Sequence, residues 1–130
     1  MKPDLKILVI SLLVVASCVR PPSDEFFVLS DGTGSYEFVL DMSDSLCVYD
    51  LSFFARLEGR RQVLGFPMKI YLTSPSGVTY SENVYYDASR GLELPYRVSL
   101  SPVEYGTWKM EARASVPGLG GLGLICKRNY

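Results

Sequence analysis

Tyr36, Phe38, Leu40 and Met42 alternate with Glu37, Val39 and Asp41. A longer alternation follows, in which Cys47, Tyr49, Leu51, Phe53, Ala55 and Leu57 are separated by Val48, Asp50, Ser52, Phe54, Arg56 and Glu58. A period of two sends successive side chains to opposite faces of a strand, so each run predicts a β-strand with one face in a core. Before them, Phe26-Phe27-Val28-Leu29 predicts a short strand, closed by the turn-forming cluster Ser30-Asp31-Gly32-Thr33-Gly34-Ser35. After them, Met68, Ile70 and Leu72 alternate with Lys69, Tyr71 and Thr73. Ser74-Pro75-Ser76-Gly77 then makes a turn, because proline presets φ and glycine accepts φ > 0. The turn predicts a hairpin joining 68–73 to 78–86. Further strands are expected over 92–100, where Pro95 marks an edge or a bulge, along Trp108, Met110, Ala112 and Ala114, and over 122–127.

Seven or eight short strands at this spacing, with no helical period after Cys18, predict an all-β antiparallel sandwich, immunoglobulin-like in a loose sense. A small barrel is the alternative. Nine Tyr, six Phe and one Trp suit strand faces and a packed core, where Trp108 is expected to sit.

The start of the chain has a different pattern. Lys2 and Lys6 lie at the head of an apolar stretch over 5–15, which is too short to cross about 30 Å of hydrocarbon as a helix. The stretch ends in Ala16-Ser17-Cys18, small residues before a cysteine, the layout of a bacterial lipoprotein signal. Residues 1–17 are therefore read as a cleaved lipoprotein signal peptide, 18–25 as a lipidated tether and 26–130 as the sandwich domain. Two prolines and three charges within Val19-Arg20-Pro21-Pro22-Ser23-Asp24-Glu25 make that segment a spacer rather than a core element. Lipid on Cys18 would hold the protein on a membrane. Val19 is not the Asp that often directs retention at the inner membrane, so the outer membrane is the expected location.

Charge and residue types narrow the function. The chain has 13 basic and 14 acidic residues, and loss of Lys2, Lys6 and Asp4 with the leader leaves 11 and 13. A net negative domain argues against a nucleic-acid partner. There is no histidine, which excludes a Ser-His-Asp or Cys-His nucleophile and a histidine-based zinc site. Neither a metal nor a cofactor is expected. Glu82, Asp87, Glu93 and Glu104 could in principle form a glycosidase pair, but carboxylates near turns are ordinary solvated groups. Gly118-Leu119-Gly120-Gly121-Leu122-Gly123 matches the spacing of a dinucleotide-binding loop yet lacks the helix such a site needs, and reads as a turn or bulge. Asp31-Gly32-Thr33-Gly34 and Asp41-Met42-Ser43-Asp44 lack the alternating oxygens of a calcium loop. With Cys18 lipidated, Cys47 and Cys126 remain as a candidate disulfide in an oxidising compartment, or as two small buried residues. Tyr80, Tyr85, Tyr86, Tyr96 and Tyr105 are candidates for stacking on a glycan or anchoring a host ligand, or else for covering the core.

The second half resembles the gliding-motility lipoprotein H (GldH) family. The resemblance lies in Phe66-Pro67-Met68-Lys69-Ile70-Tyr71-Leu72, in Pro75-Ser76-Gly77, in Tyr105-Gly106-Thr107-Trp108-Lys109-Met110 and in Leu119-Gly120-Gly121-Leu122-Gly123-Leu124, together with Cys18. Two pieces depart from the family pattern. Glu111-Ala112-Arg113-Ala114-Ser115 stands where a Gln-x-Met-Arg piece is usual, and Ala88-Ser89-Arg90-Gly91 stands near a missing Trp-containing segment. The resemblance implies a non-catalytic envelope lipoprotein that supports a cell-surface motility and secretion apparatus through an envelope protein partner. The alternative expectation is a surface lipoprotein that binds glycan or a host ligand through its tyrosines.

Overall fold

The alternating runs form strands that divide into two sheets. The computed structural model describes residues 23–58, 65–88 and 93–130. Its strands are β1 (Ser23–Leu29), β2 (Ser35–Met42), β3 (Val48–Leu57), β4 (Gly65–Thr73), β5 (Thr79–Asp87), β6 (Glu93–Leu100), β7 (Gly106–Arg113) and β8 (Leu119–Asn129). One sheet has the order β1-β8-β3-β6 and the other β2-β7-β4-β5. All neighbouring strands are antiparallel. The expected all-β antiparallel sandwich is therefore what the chain forms.

Its connectivity is not the immunoglobulin one. An immunoglobulin sandwich sets four strands against three and keeps its first two strands side by side. Here each sheet has four strands, the first strand pairs with the last, and successive strands change sheet everywhere except at the β4–β5 hairpin. This is the interleaved order of a jelly roll. Burial explains why β8 lies inside a sheet. Its first six residues, Leu119 to Leu124, are buried on both faces, which only a strand flanked on both sides can satisfy. β1 carries Asp24 and Glu25, and β6 carries Pro95, so both suit edges.

The core is made by the inward positions of the two sheets. Tyr36, Phe38, Leu40 and Met42 of β2 face Tyr49, Leu51, Phe53 and Ala55 of β3, with Phe66, Met68 and Ile70 of β4 and Leu122 and Leu124 of β8 around them. Trp108 belongs to the same buried cluster. The Ser74–Gly77 turn forms as expected: Gly77 has φ of 94° and donates to the Ser74 carbonyl at 2.9 Å. The Gly118–Gly123 segment also has a structural role. Gly120 is the extra residue where β8 slips against β3 between Arg56 and Leu57. Gly121 and Gly123 form the floor under the Phe27 and Phe54 rings, which stack 5.9 Å apart on the outer face. A Cβ on Gly123 would fall 2.0 Å from the Phe54 ring.

Two expectations change. β1 starts at Ser23, so Ser23, Asp24 and Glu25 of the expected tether belong to the fold, opposite Lys127, Cys126 and Ile125. Backbone pairing does not need apolar side chains, and an ion pair of 2.8 Å from the Arg128 guanidinium to Asp24 holds the polar start of the strand.

The Cys47–Cys126 bridge is also not made: both are buried free thiols. Cys126 lies opposite Leu51, whereas Cys47 precedes Val48, whose partner is Asn129. Cys47 thus lies four residues before the position opposite Cys126 and outside the strand. Burial pushes the Cys126 thiol up to about 11. With both thiols buried, iodoacetamide without reductant should leave Cys47 and Cys126 unmodified in the folded protein and label both in guanidinium, as read by peptide mass mapping. A pair that stays unlabelled after unfolding would establish a bridge.

Candidate functional site

The two sheets part where β5 and β6 form their edges on the same side of the sandwich. A cavity of about 320 Å³ opens there. Its floor is core: Met42, Leu51, Ile70 and Leu72. Its walls are aromatic, formed by Tyr80 of β5, Tyr96 of β6 and Trp108 of β7. The Tyr80 and Trp108 rings lie tilted with centroids 6.1 Å apart. Trp108 is fixed by its Nε1–H, which donates to the Glu104 carbonyl at 2.9 Å.

One charged cluster sits on this apolar opening. Glu82 has the inward parity of β5, like Tyr80, Val84 and Tyr86, and therefore places a carboxylate at the cavity. It accepts a hydrogen bond from the Tyr96 hydroxyl and pairs with Arg97 at 2.5 Å. The Arg97 guanidinium also lies over the Tyr96 ring, 4.5 Å from its centroid. Burial pushes the Glu82 carboxyl up, but the bonds from Tyr96 and Arg97 outweigh it and hold the group below the ordinary carboxylate value. Burial, with the Glu82 hydrogen bond, pushes the Tyr96 hydroxyl well above the usual phenol range. A carboxylate held ionised by two donors is poorly placed to give or take a proton.

The backbone of β6 is shaped around this cluster. Its register against β3 slips twice, between Tyr49 and Leu51 and between Leu51 and Ser52. Tyr96 is the extra residue of one slip, which matches the edge-or-bulge expectation at Pro95. At the other slip, Ser99 has φ of 53°, held by its N–H donating to Asp50 Oδ1 at 2.8 Å. A bulged, strained strand next to an opening is a common way of aiming side chains into it.

The four carboxylates named from the sequence are not gathered in the cavity. Among the described residues Glu82 is the one carboxylate that lines it. Glu104 is occupied by the N–H and hydroxyl of Ser76, at 3.1 and 2.7 Å. Glu93 accepts from Ser52, and Asp87 ends β5 opposite Gly65. Asp31 and Asp41 accept from Thr33 and Ser43 two residues on, so both make local turns. Among the described residues no group of three or more Cys, Asp or Glu is gathered to hold a metal ion.

The tyrosines do not form a platform. Of the five named from the sequence, Tyr86 and Tyr96 are buried, and Tyr80, Tyr85 and Tyr105 are exposed. Tyr80 and Tyr85, five residues apart on β5, project to opposite faces. Tyr71 lines a second hollow of about 610 Å³, over the outer face of β2, β7 and β4. Arg113 and Lys69 lie over its ring, 4.6 and 5.3 Å from the centroid.

Sequence reasoning missed the Glu82–Tyr96–Arg97 cluster. The signal available was a charged residue at an inward position of a strand whose other inward residues are Tyr, Val and Tyr, a device common on edge strands. Cys18 and residues 18–22 of the expected tether lie outside the described residues. No family model and no curated protein matches the chain, which leaves the geometry above as the ground for its function.

Proposed function

We propose that the protein is a lipid-anchored, non-catalytic accessory lipoprotein of the outer membrane, akin to the gliding-motility lipoproteins. In this reading it captures an envelope protein partner as an added strand along β5. One observation carries the reading: among the described residues β5 is the outermost strand of its sheet, nine residues long and unbroken, beside an apolar opening. Its ladder with β4 runs without a register shift from Gly65–Asp87 to Thr73–Thr79. The opposing edge, β6, is interrupted by two slips and by Pro95. A regular edge presents backbone donors and acceptors to an incoming strand, and alternate side chains of that strand would drop into the cavity.

The direction of those donors follows from the hairpin. The Ser74 N–H donates to the Val78 carbonyl at 2.8 Å. Hydrogen-bonded pairs then alternate along the ladder, so Ile70–Glu82 and Met68–Val84 exchange bonds, while the N–H groups of Ser81, Asn83 and Tyr85 point away from the sheet. Asn83→Pro removes one outward donor and leaves the β4 ladder intact. A crosslinking pull-down of the tagged, lipidated protein from intact cells, read by mass spectrometry, tests the reading. Motility or secretion components should be recovered with the parent chain. With Asn83→Pro their yield should fall at least about tenfold, equivalent to roughly 1.4 kcal/mol of binding. Undiminished recovery with Asn83→Pro would rule out the β5 edge.

A second reading has its own observation, the aromatic wall of Tyr80, Tyr96 and Trp108. It supports a surface lipoprotein that holds an apolar or sugar ring in the cavity. Recovery of glycan or of polysaccharide-uptake components in the same experiment would favour it.

A further inference from the structure

The end of the sandwich where the tether enters is also the end with the apolar loop tips. Ser23, the first residue of β1, pairs with Lys127, two residues from the end of β8 at Asn129. Val48, the first residue of β3, faces the same Asn129. The connections 43–47, 74–78 and 101–105 all lie at this end, as does the C-terminal Tyr130. Each bears an exposed apolar or aromatic side chain: Leu46 at 83%, Val78 at 48%, Val103 at 76%, Tyr105 at 46% and Tyr130 at 78% of full exposure. The described connections at the opposite end, 30–34 and 114–118, expose no large apolar side chain, and Leu29, which ends β1 there at 64% exposure, is the single one beside them.

These tips are held in place. Glu104 ties the 101–105 loop to Ser76 of the hairpin turn. The Tyr130 hydroxyl donates to Asp44 at 2.6 Å, and the Tyr49 hydroxyl donates to the Asp44 carbonyl at 3.0 Å. Pro75 packs so close to Gly106 that a Cβ there would lie 2.9 Å from its ring.

We propose that this end of the domain docks on the bilayer, with Leu46, Val78, Val103 and Tyr105 entering the interfacial layer of the membrane that carries the lipid anchor. The inference rests on lipidation at Cys18. Four residues separate Cys18 from Ser23. From Cα to Cα that chain reaches at most about 18 Å. A sheet of four strands is itself about 15–20 Å across, so the tether holds the whole end within reach of the headgroups. Apolar tips on short loops gain from entering the interface once the anchor holds them beside it. The acidic groups at this end, Asp24, Asp41, Asp44, Asp50 and Glu104, each accept hydrogen bonds within the fold, so docking relies on apolar burial rather than on attraction to anionic lipid.

Depth-resolved quenching tests this on the full lipidated chain in vesicles of phosphatidylethanolamine and phosphatidylglycerol with brominated acyl chains. Val103→Trp reports from the docking end and Ser115→Trp from the opposite end, each after subtraction of the parent Trp108 signal. Val103→Trp should be quenched at least about twofold more than Ser115→Trp. Leu46→Trp, on a separate loop, gives the same reading if Val103→Trp does not fold. Equal, weak quenching at both ends, in a chain whose intact mass shows the acyl groups, overturns the docking inference and leaves the lipoprotein reading standing. An intact mass without acyl groups on Cys18 overturns the lipoprotein reading, and the docking inference with it.

Discussion

Phe53→Ala is expected to destabilise the domain by about 3–5 kcal/mol, the range for removing a buried aromatic ring and leaving a cavity. Phe53 is fully buried, lies opposite Leu124 in β8 and Leu94 in β6, and tilts against the Tyr96 ring at 5.2 Å. Its loss removes the packing that connects β3 to the edge strand β6, so the β5–β6 opening should loosen too. A melting temperature lower by roughly 10–20 °C is the expected reading. Phe54→Ala is the internal comparison. Phe54 points to the outer face, half-buried beside Phe27 and over Gly123, and its truncation should cost only about 1 kcal/mol. Chemical denaturation of both variants checks the register directly. Equal losses, or a larger loss for Phe54→Ala, would mean that β3 turns its other face inward.

Asp24→Asn should cost about 1–3 kcal/mol. The Arg128 side chain is only 1% exposed, and Asp24 accepts from its Nη1 at 2.8 Å. The pair holds Arg128 charged, its hydrogen bond to Asp24 being the foremost cause. Breaking a buried pair leaves a desolvated charge at a cost of about 3–5 kcal/mol, reduced here because Asp24 is a third exposed. Adding Arg128→Met to Asp24→Asn should restore part of the loss, since an apolar stem then replaces a cation that has lost the Asp24 charge. Urea midpoints for the single and double variants give the coupling. If Asp24→Asn leaves the midpoint unchanged, residues 23–25 behave as a tether after all and β1 contributes nothing at its start.

Period two was enough to locate the strands. The inward residues of β2 and β3 named from the pattern are buried except Leu57, which is partly buried at the end of β3, because a sheet with one face in the core sorts side chains by parity. The ends of strands were less legible. β1 begins at Ser23, β4 at Gly65 and β8 at Leu119, each a few residues before its apolar pattern starts. There the backbone ladder continues through polar or glycine positions that the pattern does not mark. The candidate site was legible only in parts. Tyr80, Tyr96, Trp108 and Glu82 were each noticed, but nothing along the chain brings β5, β6 and β7 to one opening.

The sequence by itself determined the strands, the face each strand buries, the hairpin at Pro75–Gly77 and the lipoprotein-like start. These depend on neighbours two to four residues apart, where side-chain alternation and turn chemistry act. Only the tertiary structure decided which strands pair, that the order is a jelly roll, and that Cys47 and Cys126 are offset along the ladder. It also decided that the apolar loop tips share an end with Ser23. Those outcomes follow from the packing of two sheets against each other. A strand buried on both faces must lie inside a sheet, and its partners are whichever edges complete the core, however distant in the chain.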